Sequence, residues 1–204
     1  MKNVTERKSQ GTIPMRGILT ALNQRVRKLR GDRSGVGAVE FALIAPVLIV
    51  LYMGSLEISV AMSVNKKLAR AASTVADLVT QDETVNKATL ASMVNVAQSV
   101  MMPFRAEGIK VKVTGIAIDG AGKGKTTWSW QQDNTRPYTV GSDQALPKDL
   151  AIPNTFLVRT ELELDHKLLV IMPDIKNIDV RTLHMKKTYH LRQRVGDSVT
   201  CNNC

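Results

Sequence analysis

Phe41–Leu56 reads FALIAPVLIVLYMGSL, sixteen consecutive residues without a charge. After one carboxylate, Glu57, the run ISVAM carries the apolar character on to Met62. A helix rising about 1.5 Å per residue needs about 20 residues to cross a hydrocarbon layer of about 30 Å. The stretch 36–62 supplies that length if Glu40 lies near the inner interface and Glu57 near the outer one. Two other readings compete, a buried helix of a soluble protein and a cleaved secretory signal. Against the first stands the segment upstream. Residues 1–35 hold nine of the 28 basic side chains and two of the 18 acids, Glu6 and Asp32, and flanks rich in Lys and Arg stay in the cytoplasm. Against the second stands the segment downstream. A signal has a shorter apolar region ending at a small-x-small site, whereas the helical pattern here runs on. The sequence therefore predicts a membrane helix with its N-terminus in the cytoplasm.

Composition narrows the function. The formal charge is +10, yet outside the basic arm 19 bases face 16 acids. A nucleic-acid-binding face spreads its charge over the folded body, and this chain does not. Aromatic residues make up 4 per cent, too few for a stacking platform along single strands. Nucleic acid is excluded as the expected partner; a soluble protein binding it through the arm is the weakest reading. The two cysteines, Cys201 and Cys204, rule out a scaffold stapled by several disulfides.

Beyond Glu57 the positions Ile58, Ala61, Asn65, Leu68, Ala72, Val75 and Val79 keep one stripe at a period of roughly 3.5 residues. No Gly or Pro interrupts residues 55–81, so the spanning helix is expected to continue as an amphipathic rod. Gln81–Glu83 reads as a break. Thr84 to Met102 reads as a second helix, stopped by Pro103 and buried through Leu90, Met93, Val94, Ala97, Val100 and Met101. From Ile109 the period changes to two. Ile109, Val111 and Val113 alternate with lysines, Gly115 permits a bulge, and Asp119–Gly124 reads as a hairpin loop. Trp128 and Trp130 share a face of the returning strand, residues 133–154 read as a long loop, and Phe156–Asp165 alternates as a half-buried strand. The apolar stretch LLVIMP leads to Pro173, and Leu183, Met185, Tyr189 and Leu191 mark a last strand. The expected fold is α+β and membrane-anchored, with a small antiparallel sheet after the helices. Its expected parts are a leader at 1–35, a span at 36–62, extramembrane helices at 63–103 and a sheet domain at 104–204.

The boundary between arm and helix reads Gly35-Val36-Gly37-Ala38-Val39-Glu40-Phe41. A charged side chain inside a hydrocarbon helix costs about 3 kcal/mol on insertion scales, so Glu40 is a functional hint by default. The plainer reading leaves it at the interface, touching headgroups or water. Its neighbours favour another reading. A basic arm, a Gly, small or apolar residues, then Glu and an aromatic resemble the junction cut by prepilin peptidases. A cut after Gly35 makes Val36 the first residue and Glu40 the fifth, and the new amine is cationic near neutral pH. In low dielectric, a carboxylate of one subunit pairs strongly with such an amine on its neighbour.

The run AVEFALIAPVLIVLYMGSLEIS (38–59) resembles the start of the TadE-like family, minor pilins or pseudopilins of the tight-adherence (Flp-type) pilus system. The positions carrying the resemblance are Val39, Glu40, Phe41, Ala42, Leu43, Pro46, Leu48, Gly54 and Glu57. The layout of 156–194 resembles larger members in pattern only. The resemblance implies a pilin-like fold and a substrate of prepilin peptidase, with Gly35, Val36, Glu40 and Phe41 at the processing site. It also implies a single-pass protein of the bacterial inner membrane whose C-terminal body is periplasmic. The implied partners are other pilus subunits and assembly-platform proteins, and the implied role is assembling, initiating or anchoring the pilus. Some features depart from the pattern. The arm is long, Gly37 is a second glycine, and Val36 replaces the aromatic first residue of type IV pilins. Pro46, mid-helix, removes one backbone hydrogen bond and is expected to kink the rod, as in pilin helices or any kinked membrane helix.

Other candidates carry less. Cys201-x-x-Cys204 lacks the strand–helix setting of a thioredoxin motif. It is read first as a disulfide, next as free or intermolecular thiols and last as a metal site, since His166, His184 and His190 lie apart. AGKGKT (121–126) lacks the first glycine of a phosphate loop. Glu161, Glu163 and Asp165 share one strand face and are expected to be solvated. Neither an enzyme nor a cofactor is expected. The alternative function is an uncleaved single-pass protein whose exported body binds an envelope partner.

Overall fold

A computed structural model describes residues 35–168 and 182–204. The elements are helix α1 (Val36–Val79), strand β1 (Thr84–Val85), helix α2 (Lys87–Met101), and strands β2 (Lys110–Ile118), β3 (Gly124–Gln131), β4 (Asp143–Gln144), β5 (Phe156–Lys167), β6 (Thr182–Arg192) and β7 (Thr200–Cys201). The described residues fall into two compact units, divided between Tyr52 and Met53.

The first unit is the apolar part of α1. Its large side chains are uncovered, from Val36 at 51 % exposed to Leu43 at 73 %. A Val, Leu, Ile or Phe side chain gains about 1.5–3 kcal/mol from burial. The ten of them in this unit, left in water, would match or exceed the whole stability of a typical domain, about 5–15 kcal/mol. This surface requires an apolar surrounding. Pro46 stands inside the helix, which passes through it unbroken.

In the second unit, the rest of α1 buries Val64, Leu68, Ala71, Ala72, Val75, Ala76 and Val79. The three alanines let the helix backbone come close to its neighbours, while Leu68 and the valines fill the space between. Of the stripe expected from sequence, Leu68, Ala72, Val75 and Val79 are buried, whereas Ile58 is 64 % exposed. The expected second helix starts later than Thr84. Asn86 caps α2, its side-chain oxygen accepting from the Thr89 N–H at 2.9 Å. The β-branched pair before it, Thr84–Val85, is extended and forms β1. At the other end Met102 leaves the helical region (ψ 139°) because Pro103 follows.

Five strands form an antiparallel sheet in the order β4-β3-β2-β5-β6. The expected bulge lies where the β2–β3 register shifts between Gly115 and Ile116. Gly115 is required by close approach: a Cβ there would stand 2.4 Å from Trp128 Nε1 and 2.8 Å from Phe156 Cζ. Val111, Val113, Trp128, Trp130, Val158, Leu162 and Leu164 join α1 and α2 in one core. A second apolar cluster gathers Ile116, Ile118 and Leu157 with Leu146 and Leu150. The stretch 133–154 is therefore more structured than a loop, since it contains β4 and a short 3-10 turn, Lys148–Leu150. The expectation for LLVIMP lies, apart from Leu168, outside the described residues.

Sequence reasoning missed β7, which pairs in parallel with β1. Thr200 N–H donates to the Glu83 carbonyl at 2.9 Å and Asn202 N–H to the Val85 carbonyl at 3.1 Å. Asn203 Oδ1 accepts the Lys87 N–H at 2.8 Å, serving a donor at the start of α2 that the helix itself leaves free. Trp128 Nε1 donates to the Val199 carbonyl at 2.6 Å. The segment Val199–Asn203 thus clasps the α1–α2 junction to the sheet.

Candidate functional site

Gly35 directly precedes the first residue of α1, Val36. The helical rise brings Glu40 just over one turn beyond Val36, and Glu40 and Phe41 are both exposed. The junction residues therefore stand together at one helix start, open to a partner. Gly54 lies on the same helix, and a Cβ added there meets nothing within 4 Å.

Glu57, expected near the outer membrane interface, is 8 % exposed, with Oε1 3.9 Å from Nε2 of His166 near the end of β5. Neither atom has a hydrogen-bond partner. A carboxylate and an imidazole facing each other at this separation attract only while the imidazole is protonated. The pair marks where α1 becomes part of the protein core.

The outer face of β5 departs from its expected solvation. Glu161 is 5 % exposed and Arg159 8 %. Tyr138 lies over them, its ring 4.5 Å from the Arg159 guanidinium and its hydroxyl donating to Glu161 Oε2 at 2.7 Å. Lys186 on β6 reaches Glu161 at 3.1 Å and Glu163 at 3.3 Å, and Lys112 on β2 reaches Glu163 at 3.0 Å. Alternating opposite charges at 159, 161 and 186 were visible in the sequence, but the covering tyrosine comes from the stretch read as a loop. Asp165 does stay exposed, bonded to His184 at 2.6 Å. His190 is partly buried opposite Arg159.

Burial pushes the Glu161 carboxyl up, but the Tyr138 hydroxyl, the Lys186 ammonium and the Arg159 charge outweigh it and hold it below 4.5. Its bond to Glu161 raises Lys186 in turn. Burial, then the Arg159 charge, push His190 below 6.5. Both folded values are depressed, so both groups stabilise the fold above their ordinary values. His190 loses its share as pH falls from 6.5 through its folded value, because the unfolded chain takes up that proton first. Glu161 follows below 4.5. Glu161→Gln is expected to cost about 2 kcal/mol at neutral pH through its charged hydrogen bonds. The gap to wild type narrows below pH 4.5, read by thermal unfolding across a pH series. A gap that stays constant into acid would remove the carboxylate's charge from the account.

Cys201 and Cys204 are joined by a disulfide within the clasp, and Arg136 donates to the Cys204 carbonyl. The AGKGKT stretch opens strand β3, with no helix after it. Among the described residues no group of three or more His, Cys, Asp or Glu is placed to hold a metal ion.

Of the described helices, only α1 is long and apolar enough to cross a membrane. An apolar helix continues into an amphipathic stem and is followed by a second helix and an antiparallel sheet. Residues 35–77 match the family model for TadE-like protein. The match begins at Gly35 and takes in nearly all of α1. No curated protein and no solved structure matches the chain.

Proposed function

We propose that the chain is a single-pass, pilin-like subunit of a tight-adherence pilus system, cut after Gly35 by a prepilin peptidase. It acts structurally, in assembling, initiating or anchoring the pilus, rather than as an enzyme. The span runs from Val36 to Leu56, shorter than the 36–62 read from sequence, because Glu57 is buried against His166. Twenty-one residues at about 1.5 Å each give about 31 Å, the thickness of a bilayer's hydrocarbon core. The basic arm supports a cytoplasmic N-terminus, which puts the sheet domain in the periplasm, an oxidising compartment in which the Cys201–Cys204 bond persists. The amine freed at Val36 meets Glu40 of an adjacent subunit.

One observation carries the reading. The TadE-like match starts at the glycine of the expected cleavage junction and continues along the one helix whose apolar surface is uncovered. The test is the intact mass of the protein extracted from membranes. A mature chain beginning at Val36 is expected, and Gly35→Ala should leave it full length. A wild-type chain that retains residues 1–35 would overturn processing and favour an uncleaved anchor whose exported body binds an envelope partner.

A further inference from the structure

The clasp at the α1–α2 junction rests on few hydrogen bonds. β1 and β7 are two residues each and form a sheet of their own, apart from the five-stranded one. Parallel pairing is the less stable kind per residue, and two short strands alone are marginal in water. Two of the clasp's contacts come from inside the four-residue ring that the Cys201–Cys204 bond closes. Asn202 N–H donates to the Val85 carbonyl at 3.1 Å, and Asn203 Oδ1 accepts the Lys87 N–H at 2.8 Å. Both cysteines are partly buried against the main core, and Arg136 donates to the Cys204 carbonyl. An open segment must surrender backbone freedom at each residue to make such bonds. The ring has surrendered much of that freedom in advance.

We propose that the Cys201–Cys204 bond is a redox latch on the α1–α2 junction. Closed, it holds Asn202 and Asn203 against Val85 and Lys87; open, it lets residues 200–204 leave them. The partial exposure of both cysteines admits a small dithiol as reductant. One sulfur of the dithiol attacks the bond and the other completes the exchange. The reductant ends as a disulfide and Cys201 and Cys204 as thiols, with two electrons and two protons passed between them. The register defines what comes loose. Thr84 and Val85 lose the strand paired with them, and the Lys87 N–H loses its acceptor, which the first turn of a helix cannot replace. The Asn86 cap and the pairing of β2 with β3 and β5 do not involve residues 200–204 and stay. The latch therefore acts on a junction rather than on the whole body. A reducing compartment keeps it open and an oxidising one shuts it. It depends neither on the membrane span nor on cleavage at Gly35.

The test is amide hydrogen exchange of the full chain in detergent, oxidised and after dithiothreitol, with alkylated thiols counted by mass to show that the bond has opened. Exchange at Lys87, Thr200 and Asn202 is expected to speed up about twentyfold on reduction, the factor that loop-closure entropy gives for so small a ring. The Ile118 amide, bonded to the Thr155 carbonyl at 2.8 Å at the end of β2, should keep its rate. Reoxidation should restore the first pattern, and Cys201→Ser with Cys204→Ser should reproduce the second. Unchanged rates at all three amides with the thiols counted would overturn the proposal and leave hydrogen bonds alone to hold the clasp. An equal acceleration at Ile118 would overturn it as well, by making the bond a support of the entire body. So would a bond that dithiothreitol cannot open in the folded chain.

Discussion

Replacing Gly115 by alanine destabilises the sheet domain by about 3 kcal/mol, combining overpacking with a lost buried hydrogen bond. The methyl carbon would stand 2.4 Å from Trp128 Nε1, and Phe156 Cζ at 2.8 Å closes the other side. The indole cannot retreat freely, because its N–H is committed to the Val199 carbonyl at 2.6 Å. Moving it breaks that bond and frees the segment that pairs β7 with β1. Thermal unfolding should show a fall in midpoint of about 10 °C for a body of this size. Trp128 and Trp130 are the two tryptophans of the chain, so intrinsic fluorescence reports the damaged region itself. Gly54→Ala is the control, since its added carbon meets nothing. An unchanged midpoint in Gly115→Ala would mean that the indole does not press on this glycine.

Glu40→Gln is expected to have opposite effects on two steps. A neutral amide enters a hydrocarbon helix more easily than a carboxylate by about 3 kcal/mol, so membrane insertion should be equal or better. Trimming to Val36 should persist, which the mass of the membrane-extracted chain checks. Pilus biogenesis should instead collapse, because the amine at Val36 then has no counter-charge in a medium that solvates ions poorly. An uncompensated charge costing about 3 kcal/mol corresponds to a loss of about a hundredfold in assembly. Fibre yield, or co-purification of partner subunits, measures it. Undiminished fibres from a well-inserted Glu40→Gln chain would leave the carboxylate without this task.

The helical half of the molecule was legible because its signals are local. An uncharged run, a period near 3.5 and the Pro103 stop act within a few residues of themselves. The sheet's alternation was legible for the same reason, as was the bulge at Gly115. What escaped were features made by residues distant in sequence. Thr84–Val85 reads as the start of a helix until Thr200–Cys201 lies beside it. Glu161 reads as solvated until Tyr138 covers it, and nothing near Glu57 announces that His166 faces it. No spacing rule predicts such meetings, since each depends on how the whole sheet is ordered. At the candidate site, the order Gly35, Val36, Glu40 and Phe41 was readable in the sequence, while the partner of Glu57 was not.

The pairing of Thr84 with Thr200 spans 116 positions, and this sets a timetable for synthesis. In a growing chain α1 is finished while the strand that locks the body is still untranslated. The greasy segment is therefore exposed before its own globule is able to close, which on the proposed reading leaves it free to be captured by a membrane first. The body cannot close until Thr200 and Cys201 have been made.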